Sequence, residues 1–352
     1  MPHRPEAFIP RSPVRVALRQ CRCELCACSA NIPFPPLCDR STRTSLTTTP
    51  TEDRCPVCAG GLRLHARRPA SVYAAASTFD IHRCDDCACG VTRPVPTPEE
   101  IAATYDNAYD YSAHTLIASE KRWRSRRMLR LLQADPFDSV LDVGCMYGYL
   151  LREARDLGVA RTEGVELAEA PALWARAQGS PVFLGTLEEY ASTGPAAYDV
   201  IVAQHVLEHI RDFDGFVRTA MSLLRPGGRL VLCVPHFGSR TQRWFRRSWG
   251  WYQLPVHLQH FSPAAIRKLA PRSGAEVEEI SFNGGDSLFV LLTLMYATVG
   301  PPRGTSRTTA LRKVVIALAS WLLRPYYFIG DEEMFVILRK SERAVPVAPV
   351  PT

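Results

Sequence analysis

Two sets of residues in this 352-residue sequence are spaced for chemistry. The first is Cys55 and Cys58 with Cys84 and Cys87, two CxxC pairs separated by 25 residues. Each pair places two thiols on one side of a tight turn, and two pairs complete a tetrahedral sulfur site suited to zinc. Four protein ligands leave no open position, so the predicted zinc is structural. A redox pair would sit between a strand and a helix, and neither pair has that context; Cys89 is a spare thiol. The second set is VLDVGCMYG at 140–148, where a short apolar run gives way to a helical pattern. Glycines there let the backbone approach a ligand closely, and a helix start favours negative charge. A dinucleotide loop would read GxGxxG. This one begins with an acid, Asp142, then Gly144 and Gly148, and an acid suits a cationic amino-acid ligand. Glu166 follows 24 residues after Asp142, at the end of the next apolar run, placed to accept hydrogen bonds from ribose hydroxyls.

Histidines form a third group. His205, Glu208 and His209 share a helical face if a helix starts just after the run 199–203. His205 would then stand at a strand's carboxyl end and is the predicted proton acceptor, with a reference pKa near ~6.5. His236, after the following run, is the reserve. Glu208 and His209 also suit bracing a helix start; HVLEH with His257 or His260 further resembles, in part, the ExxEH run and later histidine with which some small-RNA methyltransferases hold a divalent cation. Trp244, Trp249, Trp251 and Tyr252 could stack on an acceptor or anchor their own loop. Arg240, Arg243, Arg246 and Arg247 among them could meet an anionic group or simply face solvent.

The elements that must position these groups alternate short apolar runs with helical patterns, which reads as a doubly wound parallel sheet. Strands are predicted at 139–143, 162–165, 181–184, 199–203 and 229–234, with helices at 149–157, 170–178 and 213–224. Residues 225–228, RPGG, read as a turn before the fifth strand. Ser262 and Pro263 open a helix, and two further strands are predicted at 276–282 and 333–339. Before the sheet, a basic helix at 119–133 is expected to bury Trp123, Met128, Leu131 and Leu132. The expected organisation is a disordered leader at 1–50, a zinc-ribbon-like module at 51–95 and a helical linker or cofactor cover at 96–136. An α/β domain at 137–342 with a helical insertion at 286–330 follows, and then a disordered tail at 343–352.

The runs LDVGCMYGYLL, GVELAEA, YDVIVAQHVLEHIRDFDGFV, LLRPGGRLVLCVPH and HLQHFSPAAIRKLAPRSGAEV resemble successive motifs of class I S-adenosylmethionine-dependent methyltransferases. The likeness extends to bacterial members with an N-terminal zinc ribbon, sugar C-methyltransferases among them, and to ubiquinone-pathway O-methyltransferases. It implies a seven-stranded Rossmann-like sheet and S-adenosylmethionine as cofactor. It places that cofactor on Asp142, Gly144, Cys145, Gly148, Glu166 and Leu167, then Thr186, Leu187 and Gln204. Met146 replaces the usual middle glycine, and Thr186 stands where an acid often meets the adenine. The expected reaction is O- or C-methylation of a sugar, glycan or secondary-metabolite intermediate. A metal-assisted transfer to a nucleic-acid or lipid-linked acceptor, and a non-catalytic binding module, are the competing readings.

Composition sets the limits. The chain is 46% hydrophobic and 22% charged, as globular proteins are, and its net charge of +7 is too diffuse to argue for nucleic acid. The apolar runs 288–299 and 314–323 fall short of the ~18–20 residues that span a bilayer. No apolar core follows the first arginines, so a secretory signal is not expected. Cysteines clustered in this way fit a reducing cytoplasm. The apolar, basic insertion suits a lid, a dimer surface or peripheral contact with the inner membrane face, in a monomer or homodimer.

Overall fold

The computed structural model describes residues 54–67, 78–108, 114–132, 136–285, 293–294, 322 and 325–341. The predicted leader, the tail and most of the 286–330 insertion lie outside them. Seven strands build the main sheet: β4 (Ser139–Val143), β5 (Arg161–Glu166), β6 (Val182–Leu184), β7 (Tyr198–Gln204), β8 (Leu224–Pro235), β10 (Ala275–Asn283) and β11 (Glu333–Lys340). Their order is β10-β11-β8-β7-β4-β5-β6. The five from β4 to β8 pair in parallel, and β11 runs antiparallel to both its neighbours. This is the doubly wound seven-stranded sheet that the sequence predicts.

Side chains alternate across the sheet with period two. Val140, Val200, Val202 and Val231 face one layer, with Met128, Leu129, Leu132, Leu150 and Ala154. Leu141, Ile201, Ala203, Leu230 and Leu232 face the other, with Phe216, Val217, Ile266 and Leu269. Covering both faces explains why all five residues of β4 are buried. The helices are α3 (Tyr149–Asp156), α4 (Glu169–Ala177), α5 (Leu187–Ser192), α6 (Phe213–Ser222), α7 (Arg240–Phe245) and α8 (Pro263–Arg272). Ser262 caps α8 as predicted, accepting the Ala265 N–H at 3.1 Å. The RPGG segment differs from its prediction. It lies inside β8 as a bulge, because the register jumps from Tyr198↔Leu224 to Val200↔Arg229, with Gly227 at φ 73°.

The cysteine segment folds as a small antiparallel sheet: β1 (Leu62–Ala66), β2 (Asp80–Cys84) and β3 (Gly90–Arg93), closed by the two-residue β9 (Gln259–His260). Its fourth strand therefore comes from far beyond residue 95. Gly90 permits this: a Cβ there would lie 3.0 Å from His260 Cβ and from the Phe237 ring. Two helices, α1 (Pro98–Ala108) and α2 (His114–Leu132), lead into the main sheet. On α2 the buried stripe is Ser125, Met128, Leu129 and Leu132, whereas Leu131 is 60% exposed, so the predicted burial of Leu131 is corrected. The i, i+3, i+4, i+7 spacing of that stripe turns position 131 to the helix flank. Among the described residues no helix is long and apolar enough to cross a membrane.

One ion pair ties α2 to the sheet. Arg124, itself buried, donates to Glu333 at the start of β11, a carboxylate with no exposed surface. Removing one partner leaves a buried charge uncompensated, typically costing about 3–5 kcal/mol. Arg124→Leu leaves Glu333 with His205, so it should lower the free energy of unfolding in urea by up to about 3–5 kcal/mol. Adding Glu333→Leu should restore part of the loss.

Candidate functional site

The carboxyl ends of β4, β5 and β7 meet at the glycine loop. Gly144 and Gly148 adopt φ 71° and 66°. A Cβ on Gly144 would meet Val206 Cγ2 at 2.6 Å, so the loop closes onto the segment after β7 only with glycine there. Met146 also lies in the left-handed region, at φ 48°, a conformation that costs a non-glycine residue roughly 1–2 kcal/mol. It is held there by its N–H, which donates to Glu166 Oε2 at 2.8 Å. The other oxygen of Glu166 accepts from Ala168 N–H at 2.8 Å. Two backbone amides thus fix the carboxylate and leave each oxygen with capacity for a further donor. Asp142 lies 4% exposed beneath the loop. Burial, with Glu166 nearby, holds its carboxyl well above the usual carboxylate range. A cation bound beside it would relieve that penalty.

The other predicted cofactor residues separate into two groups. Leu167 is exposed beside Glu166, and Gln204 ends β7 at the same edge. Cys145, by contrast, turns its thiol inward among Leu151, Ala172, Ala175 and Val182. Leu187 packs into the main core, and Thr186 caps α5, its hydroxyl accepting Glu189 N–H at 3.1 Å. For these three, only the backbone faces a ligand without disturbing the core or the cap.

His205 differs most from its prediction. No α-helix follows β7; a single 3-10 turn covers Leu207–His209, and His205 itself has φ 53°. Its ring stacks on Trp251 at 5.3 Å. Nδ1 lies 3.3 Å from Glu208 Oε1 and Nε2 lies 3.0 Å from Glu333 Oε1. Burial opposes a charge on this ring, but Glu333 and Glu208 outweigh it and raise the pKa to about 9. Carboxylates at both ring nitrogens favour the imidazolium of His205, whereas the predicted proton acceptor requires the neutral ring. Arg124 and Glu333, which set this state, carried no signal in the sequence beyond a basic helix and an acid at a strand start.

His236 follows β8 and has the properties expected of His205. Burial pushes its pKa down. Its Nδ1 lies 2.9 Å from the Asp331 carbonyl, which makes Nδ1 the donor and leaves Nε2 as the acceptor. Its ring lies 4.6 Å from that of Phe282, and Phe282 lines a cleft that Gln204, Cys233 and Glu333 also line. The aromatic loop mostly anchors itself. Trp249, Trp251 and Tyr252 are buried, Trp249 Nε1 donates to Glu332 at 2.9 Å, and Trp244 alone of the four is exposed. Arg240 pairs with Asp331 at 3.3 Å.

Two clusters can hold metal. The sulfurs of Cys55 and Cys87 lie 3.6 Å apart and those of Cys58 and Cys84 3.5 Å apart. Zinc–sulfur bonds of about 2.3 Å in a tetrahedron place sulfurs roughly 3.8 Å apart, so the quartet fits that ion. The two knuckles repeat each other. Ala59 N–H donates to Cys55 O and Ala88 N–H to Cys84 O, both alanines with left-handed φ. Glu208, His209 and His257 form the second cluster, their ligand atoms within 4.8 Å of one another. His260 stands apart from it, its Nε2 3.2 Å from Thr92 Oγ1.

Residues 116–280 match the family model for a methyltransferase domain. The chain is 38% identical over 98 residues to the ubiquinone biosynthesis O-methyltransferase of Sodalis glossinidius, covering 26% of this chain and 39% of that protein. It is 34% identical over 156 residues to the Xanthomonas euvesicatoria protein of the same name, covering 40% and 64%. The chain thus spans about two fifths of the length of the first of these relatives and under two thirds of the second. A SAM-dependent methyltransferase from Archaeoglobus fulgidus aligns in three dimensions with a TM-score of 0.44 at 18% identity, over 66% of this chain and all of that one. The family-model match takes in β4 to β8 of the main sheet and part of β10.

The two histidines give a direct check of the electrostatics. Side-chain ¹⁵N NMR at pH 7.5 should show His205 with both nitrogens protonated, losing a proton only near its pKa of about 9. His236 should appear neutral with its proton on Nδ1. The reverse assignment would show that the carboxylate pair does not govern His205.

Proposed function

We propose that this protein transfers a methyl group from S-adenosylmethionine to a small-molecule acceptor. The observation that carries the reading is the Glu166 carboxylate, fixed by the Met146 and Ala168 amides beside a left-handed glycine loop and a buried Asp142. The cofactor supplies a methyl group on a positively charged sulfur, already electrophilic. Glu166 would hold the ribose hydroxyls, Asp142 the cationic amino-acid end, and Gly144 and Gly148 the close backbone approach. The protein's remaining task is alignment, with nucleophile and carbon about 3–3.5 Å apart. His236, neutral with Nε2 as acceptor, takes the acceptor's proton where one must leave. The acceptor we favour is a hydroxyl or acidic carbon of a sugar, glycan or secondary-metabolite intermediate. The zinc-ribbon likeness supports this, and the relatives' O-methyltransferase names favour oxygen. The Cys55, Cys58, Cys84 and Cys87 quartet holds a structural zinc in this reading.

A second reading, metal-assisted transfer, has one observation behind it. Among the described residues, Glu208 Oε2 and both ring nitrogens of His257 are buried with no hydrogen-bond partner. A divalent cation between Glu208, His209 and His257 would satisfy them. Activity abolished by a mild chelator and restored by magnesium or manganese would select this reading.

Four outcomes are expected. Glu166→Ala should weaken S-adenosylmethionine binding in calorimetry by about 1–3 kcal/mol; unchanged affinity would reject the ribose assignment. His236→Ala should lower turnover of a proton-releasing acceptor by about 10²–10⁴-fold with cofactor affinity intact. Because the neutral imidazole is the working form, the parental kcat/KM should rise with pH to a plateau, its acid limb below about pH 6.5. Finally, one equivalent of zinc should co-purify, and Cys84→Ser should release it and lower the melting temperature. A metal-free protein of unchanged stability would remove the zinc assignment.

A further inference from the structure

The cleft beside β7 and β8 has a chemical character that methyl transfer alone does not require. Its charged lining residues are Arg124, Arg127 and Glu333, two cations against one anion. Glu333 is already shared between Arg124 and His205. Arg127 has no carboxylate partner among the described residues; its guanidinium lies 4.9 Å over the Phe328 ring. The rest of the wall is largely apolar, with Met128, Leu131, Phe282, Phe328 and Phe335. Leu131, Phe282 and Phe328 are respectively 60%, 44% and 58% exposed. Scattered exposed apolar residues are ordinary, but three around one opening form a patch that marks a binding surface. An unpaired guanidinium framed by aromatic rings is built for a carboxylate or phosphate, which it can grip through two parallel hydrogen bonds. Gln204, which also lines the cleft, directly follows Ala203, the register partner of Val143, and so stands level with Gly144 of the glycine loop. The cleft thus includes a strand-end residue level with the loop, and Arg127 lines the same cleft.

We propose that this cleft takes an acceptor joining an apolar or aromatic body to an anionic group, with Arg127 as the anchor for that group. The proposal rests on the cofactor reading above for the direction in which the acceptor lies. An acceptor gripped in this way has its acid held away from the loop, and its opposite end presented toward the methyl donor and His236. Of the acceptor classes named above, this favours an acid-bearing, partly apolar secondary-metabolite intermediate over a neutral sugar or glycan.

Calorimetry on the full chain saturated with S-adenosylhomocysteine tests this. The probes are 3,4-dihydroxybenzoate, its methyl ester, phenyl phosphate and phenol. Each acid should bind at least tenfold more tightly than its neutral counterpart. Arg127→Gln should erase the preference while leaving the affinities of the ester and of S-adenosylhomocysteine within twofold of the parent; Arg127→Lys should keep part of it. The tighter of the two acids names the anion, carboxylate or phosphate, and either result supports the proposal. Equal binding of acid and neutral probes, no binding of either acid, or a preference that survives Arg127→Gln would overturn it. If S-adenosylhomocysteine itself fails to bind, the cofactor reading falls, and the same titrations without it still decide whether Arg127 anchors an anion.

Discussion

A single buried carboxylate, Glu333, sets much of the geometry around the site. It has no exposed surface, and it receives Arg124 from the helix over the sheet and His205 from the end of β7. Ionised carboxylates are rarely buried without cations, and the two cations hold Glu333 well below the usual carboxylate range, although burial alone would push it up. The covering helix, the last strand and the strand-end histidine are therefore locked by one charge. That lock also determines which histidine is neutral. His205 is held toward the imidazolium form, whereas the Nδ1 of His236 is engaged by a backbone carbonyl rather than by an acid.

The glycine loop shows the same logic in the backbone. Met146, in a conformation that side chains disfavour, gives its N–H to the carboxylate that Ala168 holds from the other side. The strain at Met146 and the orientation of Glu166 are thus one arrangement. The Met146 and Ala168 amides together fix the carboxylate.

Much of the fold was legible because periodicity records burial. The runs at 139–143, 199–203 and 333–339 became strands since their apolar residues fill both faces of the sheet. The CxxC pairs were legible because chemistry fixes their spacing. The failures have a common cause, which is that long-range partners leave no local trace. Nothing near His205 announces Glu333, 128 residues away, so an ordinary imidazole was the natural expectation. Leu131 looked buried because its neighbours are apolar, yet helix geometry turns it to the cleft mouth. Thr186 and Leu187 were assigned by likeness, while a capping box and a core position claim their side chains.

The borrowed strand β9 imposes a schedule on the growing chain. Val91 pairs with Gln259, and the Thr92 hydroxyl donates to the His257 carbonyl 165 positions later. At roughly 5–20 residues per second, a ribosome needs about ten to thirty seconds to make the intervening chain. During that interval β3 presents an open edge, and the Ser262 hydroxyl that donates to the Cys87 carbonyl does not yet exist. The four cysteines can gather an ion early, since both knuckles are complete by residue 89. The sheet around them is finished only when most of the main sheet has been made, so completion of the cysteine quartet and docking of β9 are separated in time within every molecule synthesised.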